Sequence, residues 1–164
     1  MKQDRFLIGI LVGIALLVLI ALGLFITRKG EQDYGPDDTP QGVIRNYVLA
    51  LEKGEFQRAY GYLYDAQDKP DLEQFRQSFL TNRLDTSGVA LQIGQVREVG
   101  AEAIVELVVI HGGSGPFNDV YRENTRALLE MDSTGAWKIV NLPYPYWNWD
   151  WYTPRTELEL RTPR

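Results

Sequence analysis

The sequence predicts an α+β domain behind an N-terminal membrane helix, and three observations predict it. Residues Phe6 to Ile26 read FLIGILVGIALLVLIALGLFI, an apolar run with no charge, polar side chain or proline. From Val43 to Phe79 apolar residues recur at helical spacing, and from Val89 to Leu142 they recur at every second position. Helices followed by an antiparallel meander make an α+β domain, with about three helices packed on one face of a curved sheet.

The apolar run is long enough for a helix to cross a hydrocarbon core of roughly 30 Å. A cleaved signal peptide has an apolar region of about 7–15 residues, whereas this run continues through Leu24, Phe25 and Ile26. Residues 1–29 are therefore expected to form a retained single-pass anchor in the membrane lipid. Lys2 and Arg5 flank one end and Arg28 and Lys29 the other, so the loop charges tie. The free N-terminal amine tips the expectation toward a cytoplasmic N-terminus and an extracytoplasmic domain. Gly9 and Gly13 form a GxxxG pair that would let a second helix approach, a route to self-association.

Residues 30–38 (GEQDYGPDD) combine glycine, proline and acid without apolar periodicity, as expected of a solvated linker. The domain is expected over 39–152. Thr39–Pro40 reads as an N-cap and first helical residue, with Val43, Ile44, Tyr47, Val48 and Leu51 on one stripe. A second short helix carries Phe56, Ala59, Tyr60 and Leu63. A third starts near Pro70–Asp71 and is expected to bury Leu72, Phe75 and Phe79.

Four strands follow: Val89–Val99, Ala101–His111, Phe117–Met131 and Ala136–Leu142. The loop Gly112–Pro116 would join the second to the third, and Asp132–Gly135 the third to the fourth. Residues 153–164 are polar and read as a frayed tail.

Charge and composition exclude several functions. From Glu31 onward 13 Lys and Arg face 21 Asp and Glu, a net charge of −8 that repels phosphate backbones. Nucleic acid is not an expected partner. With no Cys and one His, the usual zinc sites cannot form. There is no GxGxxG, phosphate loop or serine elbow. No cofactor or metal is expected.

Two stretches carry candidate chemistry. A hairpin closed by Gly112–Pro116 would set His111 opposite Phe117, Val109 opposite Asp119 and Val105 opposite Glu123. The face holding Val105, Leu107 and Val109 would then also present His111, Asp119, Tyr121 and Glu123. A carboxylate on an apolar wall has its pKa raised, as a general base needs. The same residues at a sheet rim would simply be wet, and one bulge would send all of them outside.

The second stretch is Pro143–Tyr152 (PYPYWNWDWY), which holds three of the four Trp. In an extended chain Trp147, Trp149 and Trp151 would share one side, with Tyr144 and Tyr146 on the other. Such a segment either folds back to cover the sheet, serves as a recognition surface, or inserts at a membrane interface.

Two motifs bring in a family. Lys53–Gly54–Glu55–Phe56–Gln57–Arg58–Ala59–Tyr60 resembles the junction between the first helices of the NTF2-like superfamily. Ser133–Thr134–Gly135–Ala136–Trp137–Lys138–Ile139 is similar to that family's last hairpin, and the order of elements between them agrees. The resemblance covers about Thr39 to Leu142. It implies a cystatin-like cone, with helices closing the mouth of a bent sheet around an apolar pocket. The fold serves ketosteroid isomerases, dehydratases, nuclear transport factors and membrane-tethered subunits of secretion machines, so it leaves function open. No catalytic motif of the family matches this chain residue by residue.

Three functions are therefore in view. One is a non-catalytic, membrane-tethered domain binding a protein or small ligand at the cell envelope. The others are a small isomerase or dehydratase using the cone pocket, and a structural subunit of a membrane complex.

Overall fold

Thr39 initiates the first helix of the domain in this computed structural model: its backbone is extended and its Oγ1 accepts the Gly42 N–H at 3.2 Å. The structure describes residues 3–28, 32–112 and 120–152. The chain divides into two units, Met1–Asp33 and Tyr34–Arg164.

The first unit holds one helix, α1 (Gln3–Arg28). Over its described side chains it is apolar on every side, with Leu11, Ile14, Val18 and Leu22 exposed, so this stretch has no stripe with which to face a core. Among the described residues no helix is long and apolar enough to cross a membrane. The expected span 6–26 lies within α1, but its side chains are described only at Ile8 and over 10–23. The remainder of that span lies outside the described residues.

In the second unit α2 (Pro40–Glu52) buries Val43, Ile44 and Tyr47, and α3 (Phe56–Gly61) buries Ala59. Helix α4 (Leu72–Leu80) opens with a capping box. Asp71 Oδ1 accepts the Gln74 N–H at 2.7 Å, and Gln74 Oε1 accepts the Asp71 N–H at 3.4 Å. Leu72 is exposed, against expectation, because it occupies the first turn and the buried face of α4 runs through Phe75 and Ser78. Leu63 is buried but stands beyond α3, where it bridges to Ile139.

The sheet is antiparallel in the order β1 (Val89–Val99), β2 (Glu102–His111), β3 (Tyr121–Met131), β4 (Trp137–Asn141). Bulges between Ile93 and Val96 and between Leu128 and Leu129 interrupt the ladders and bend the strands. Gly94 sits in the first bulge, where a Cβ would come within 2.9 Å of the Glu106 carbonyl oxygen. Helix α2 packs on β1, β2 and β4. Val105, Leu107, Val109, Ala127, Leu129 and Ile139 form the buried face beneath the helices.

The β2–β3 register differs from the sequence expectation. His111 pairs with Tyr121, Val109 with Glu123 and Val105 with Ala127, four residues away from the expected register. The connection is longer than a Gly112–Pro116 loop, and β3 begins at Tyr121. Because the slip is even, the faces keep their assignment: Glu123 shares a side with Val109.

The acidic segment is not free along its whole length. Gly35 donates its N–H to Asn46 Oδ1 at 3.0 Å and accepts from Asn46 Nδ2 at 2.8 Å. The Tyr34 ring lies 3.3 Å from the Arg58 guanidinium carbon, and its hydroxyl donates to Glu55 at 2.8 Å. Composition cannot foresee such a clamp, which depends on a buried Asn from α2.

Candidate functional site

The space between the helices and the sheet is filled by large side chains. Tyr47 and Phe75 are fully buried, and the segment after β4 adds Tyr146, Trp147 and Trp151. Trp151 is the hub: its ring lies 5.0 Å from Phe75, 6.0 Å from Phe79 and 5.1 Å from Trp147. Each ring presents its edge or a tilted face to the next, the arrangement that aromatic quadrupoles favour.

Hydrogen bonds fix this plug to both layers. The Tyr47 hydroxyl donates to the Tyr146 carbonyl at 2.7 Å, and the Tyr146 hydroxyl donates to the Val89 carbonyl at 3.0 Å. Tyr152 donates to the Tyr64 carbonyl. Burial pushes the Tyr146 phenol up to about 12, with the Glu52 carboxylate adding to the shift. Burial drives the Tyr47 phenol well above its ordinary value as well. Both act as donors to main-chain carbonyls.

The segment is not an extended strand. Turns closed by the Tyr146 N–H on the Pro143 carbonyl and the Trp151 N–H on the Asn148 carbonyl break the alternation, and Tyr144–Pro145 is cis. The expected common side for the three Trp is therefore not formed. Trp147 and Trp151 are buried, while Trp149 is 86% exposed. The two Tyr part likewise, with Tyr146 inside and Tyr144 61% exposed.

The polar candidates on the sheet stand in solvent or at its margin. His111 is half-buried, with its ring 5.8 Å from that of Tyr121, which is 62% exposed. Glu123 is exposed although it pairs with buried Val109. Asp119 lies outside the described residues.

Sequence reading missed a groove beside the plug. It measures about 490 Å³ and runs between α4 and the aromatic tail, with Gln74, Gln77, Arg83, Asn148, Asp150 and Trp151 on its walls. Arg83 reaches Asp150 at 3.5 Å and ties the end of α4 to the tail. Asn148 is 6% exposed, and its carboxamide has no hydrogen-bond partner among the described residues. The only sequence signal for it was the placing of polar residues between the Trp. Among the described residues no group of His, Asp or Glu could hold a metal ion.

No family model and no curated protein matches the chain. Solved structures similar to it in backbone course include a SEC-C motif containing protein of Rhodopseudomonas palustris. That one is 14% identical with a TM-score of 0.48, covering 65% of this chain and 79% of that one. An NTF2-like transpeptidase of Campylobacter jejuni is 16% identical with a TM-score of 0.44, covering 63% and 99%. A cystatin fold protein of Novosphingobium aromaticivorans is 10% identical with a TM-score of 0.42, covering 65% and 100%.

Proposed function

We propose that the chain is a membrane-tethered, non-catalytic binding domain with an NTF2-like cone fold, which engages a protein partner or small ligand at the cell envelope. Residues 1–29 are the anchor, held in lipid through 6–26, with the N-terminus cytoplasmic and the domain outside. Residues 30–38 link it to the domain over 39–152, and 153–164 follow as a polar tail.

One observation carries the reading. The tail buries Trp147 and Trp151 in the core, yet leaves Trp149 in water. Burying an indole is worth several kcal/mol, and a large aromatic left outside among buried neighbours is what a recognition surface uses. The anchor rests on the unbroken apolar sequence of 6–26 and on a helix apolar all round. Gly9 and Gly13 belong to the same proposal as a helix-pairing face.

A photo-crosslinking residue placed at position 149 in cells tests the binding surface, with position 99, where Val99 is also exposed, as the control. A discrete adduct at 149 and none at 99 is expected. Equal labelling at both, or at neither, refutes the surface. Alkaline extraction tests the anchor: the full chain should stay with the membrane, and a chain lacking 6–26 should be released.

A further inference from the structure

We infer that the groove between α4 and the aromatic tail is a carbohydrate site, taking a neutral sugar unit of a glycan chain. The inference rests on the binding-domain reading and names the ligand class of that surface.

Asn148 is the starting point. It is more than nine-tenths buried, with its carboxamide unpartnered among the described residues. No fully buried side-chain nitrogen or oxygen lacks a partner among those residues, so the carboxamide must open on the groove that Asn148 lines. The other buried Asn of the domain shows the usual solution, since Asn46 spends both ends of its amide on Gly35. An amide that opens on a groove bonds water there, and an arriving hydroxyl can replace that water. Asn148 is thus held ready for a group that arrives from outside.

The walls indicate what that group is. Gln74 and Gln77 bring further amides, and Arg83 and Asp150 stand 3.5 Å apart; of the other charged walls Lys69 pairs with Asp65 at 3.7 Å and Glu73 with Arg76 at 3.5 Å, and Asp68 adds a carboxylate. A groove of paired charges and amides suits a neutral ligand rich in hydroxyls. Each hydroxyl donates once and accepts twice, and a carboxamide complements it with one donor end and one acceptor end.

Trp151 is the apolar ring on the groove wall, and exposed Trp149 stands next to the groove without lining it. Trp149 is bonded in the chain to Asn148 and Asp150, both on the groove wall, so its Cα is about 3.8 Å from each of theirs. A sugar ring has a C–H face as well as hydroxyl edges, and an exposed indole provides a flat surface for that face. The volume of about 490 Å³ is that of a small-molecule site.

A peptide is the less suited occupant. Peptide sites use a free strand edge, an apolar groove for a helix, or an aromatic channel for a proline-rich chain. This groove is walled by a helix, whose main chain is bonded internally, and by a mixture of polar side chains with Pro70 and Trp151 rather than by a continuous apolar face.

The test uses the full chain in dodecylphosphocholine micelles, whose headgroup contains no sugar. Cellotetraose, chitotetraose and maltotetraose are titrated in turn, with tryptophan fluorescence and calorimetry as readouts. At least one should bind, and Trp149→Ala and Asn148→Ala should each weaken it by about tenfold or more. Trp149 is exposed, so its variant keeps the fold and serves if Asn148→Ala does not.

Absence of binding by all three up to about 10 mM overturns the inference, as does affinity unchanged within about twofold in Trp149→Ala. Binding of acetyl-tetraalanine amide in place of the saccharides, lost in Asn148→Ala, would also overturn it and give the groove to a peptide main chain. Failed saccharide binding alongside a retained crosslink at position 149 sinks this inference alone. Loss of both sinks the binding-domain reading with it.

Discussion

Replacing Trp151 by Ala should unfold a large part of the domain's stability, whereas the same change two residues earlier should not. Trp151 touches Phe75, Phe79 and Trp147 and is 4% exposed. An indole buries about 150–250 Å², which at roughly 25 cal/mol per Å² gives about 4–6 kcal/mol as an upper value. Measured losses for Trp or Phe to Ala in cores are about 3–5 kcal/mol, including the cavity left behind. A domain of this kind has about 5–15 kcal/mol in all, so the variant loses about a fifth of it or more. Its melting temperature should fall by about 10–20 °C. Trp149→Ala should stay within about 0.5 kcal/mol of the parent. Urea unfolding of the full chain in micelles, followed by near-ultraviolet circular dichroism, measures both. Equal losses at 149 and 151, as an extended tail with its Trp on one side would give, would refute the plug.

Three further outcomes follow from the same contacts. Tyr47→Phe should cost about 1–3 kcal/mol in urea unfolding, because it leaves the buried Tyr146 carbonyl without its donor. At alkaline pH the domain should weaken. The folded-state pKa of Tyr146 is raised from 10.0 to about 12, so its contribution is complete below pH 10 and is lost as pH rises through about 12. Tyrosinate absorbance should then show a late phase that coincides with loss of the folded dichroism signal; ionisation of every Tyr near pH 10 would contradict it.

The third concerns Asp132, whose carboxyl is held below its ordinary value first by the Thr134 hydroxyl and then by the Ala136 N–H. Wild type should exceed Asp132→Ala in melting temperature above pH 3.8, and the gap should close as pH falls through the lower folded-state value. A gap that persists at the acid end would show that the carboxylate is not its source.

The fold was legible where one residue's neighbours in sequence decide its environment. Thr39 announced its cap, Pro70–Asp71 the start of α4, and Val105, Leu107 and Val109 the buried face of β2. Parity survived even though the β2–β3 register did not, because side chains alternate with period two and the slip was four. A loop length cannot be read from where glycines cluster. The site was less legible for a related reason. Trp147, Trp149 and Trp151 look equivalent at alternate positions, and only the turns at Tyr146 and Trp151 separate the buried pair from the exposed ring. The Asn148 groove needs α4 opposite the tail, a pairing of distant segments that no local pattern encodes. His111 and Glu123 were placed on the correct face, yet their wetness depends on how far the helices reach along the sheet.

The bridge between Leu63 and Ile139 has a consequence for how copies of this domain meet. The Tyr62 carbonyl accepts from the Ile139 N–H and the Ile139 carbonyl accepts from the Tyr64 N–H, each at 2.8 Å, so the stretch after α3 occupies the outer rim of β4. The border left for lateral growth among the described strands is that of β1. There the bulge at Gly94 interrupts the regular run of main-chain groups, and Arg97 and Glu98 put charge beside it. A sheet sealed on one flank and irregular on the other makes a poor template for stacking, which matters wherever copies are crowded together.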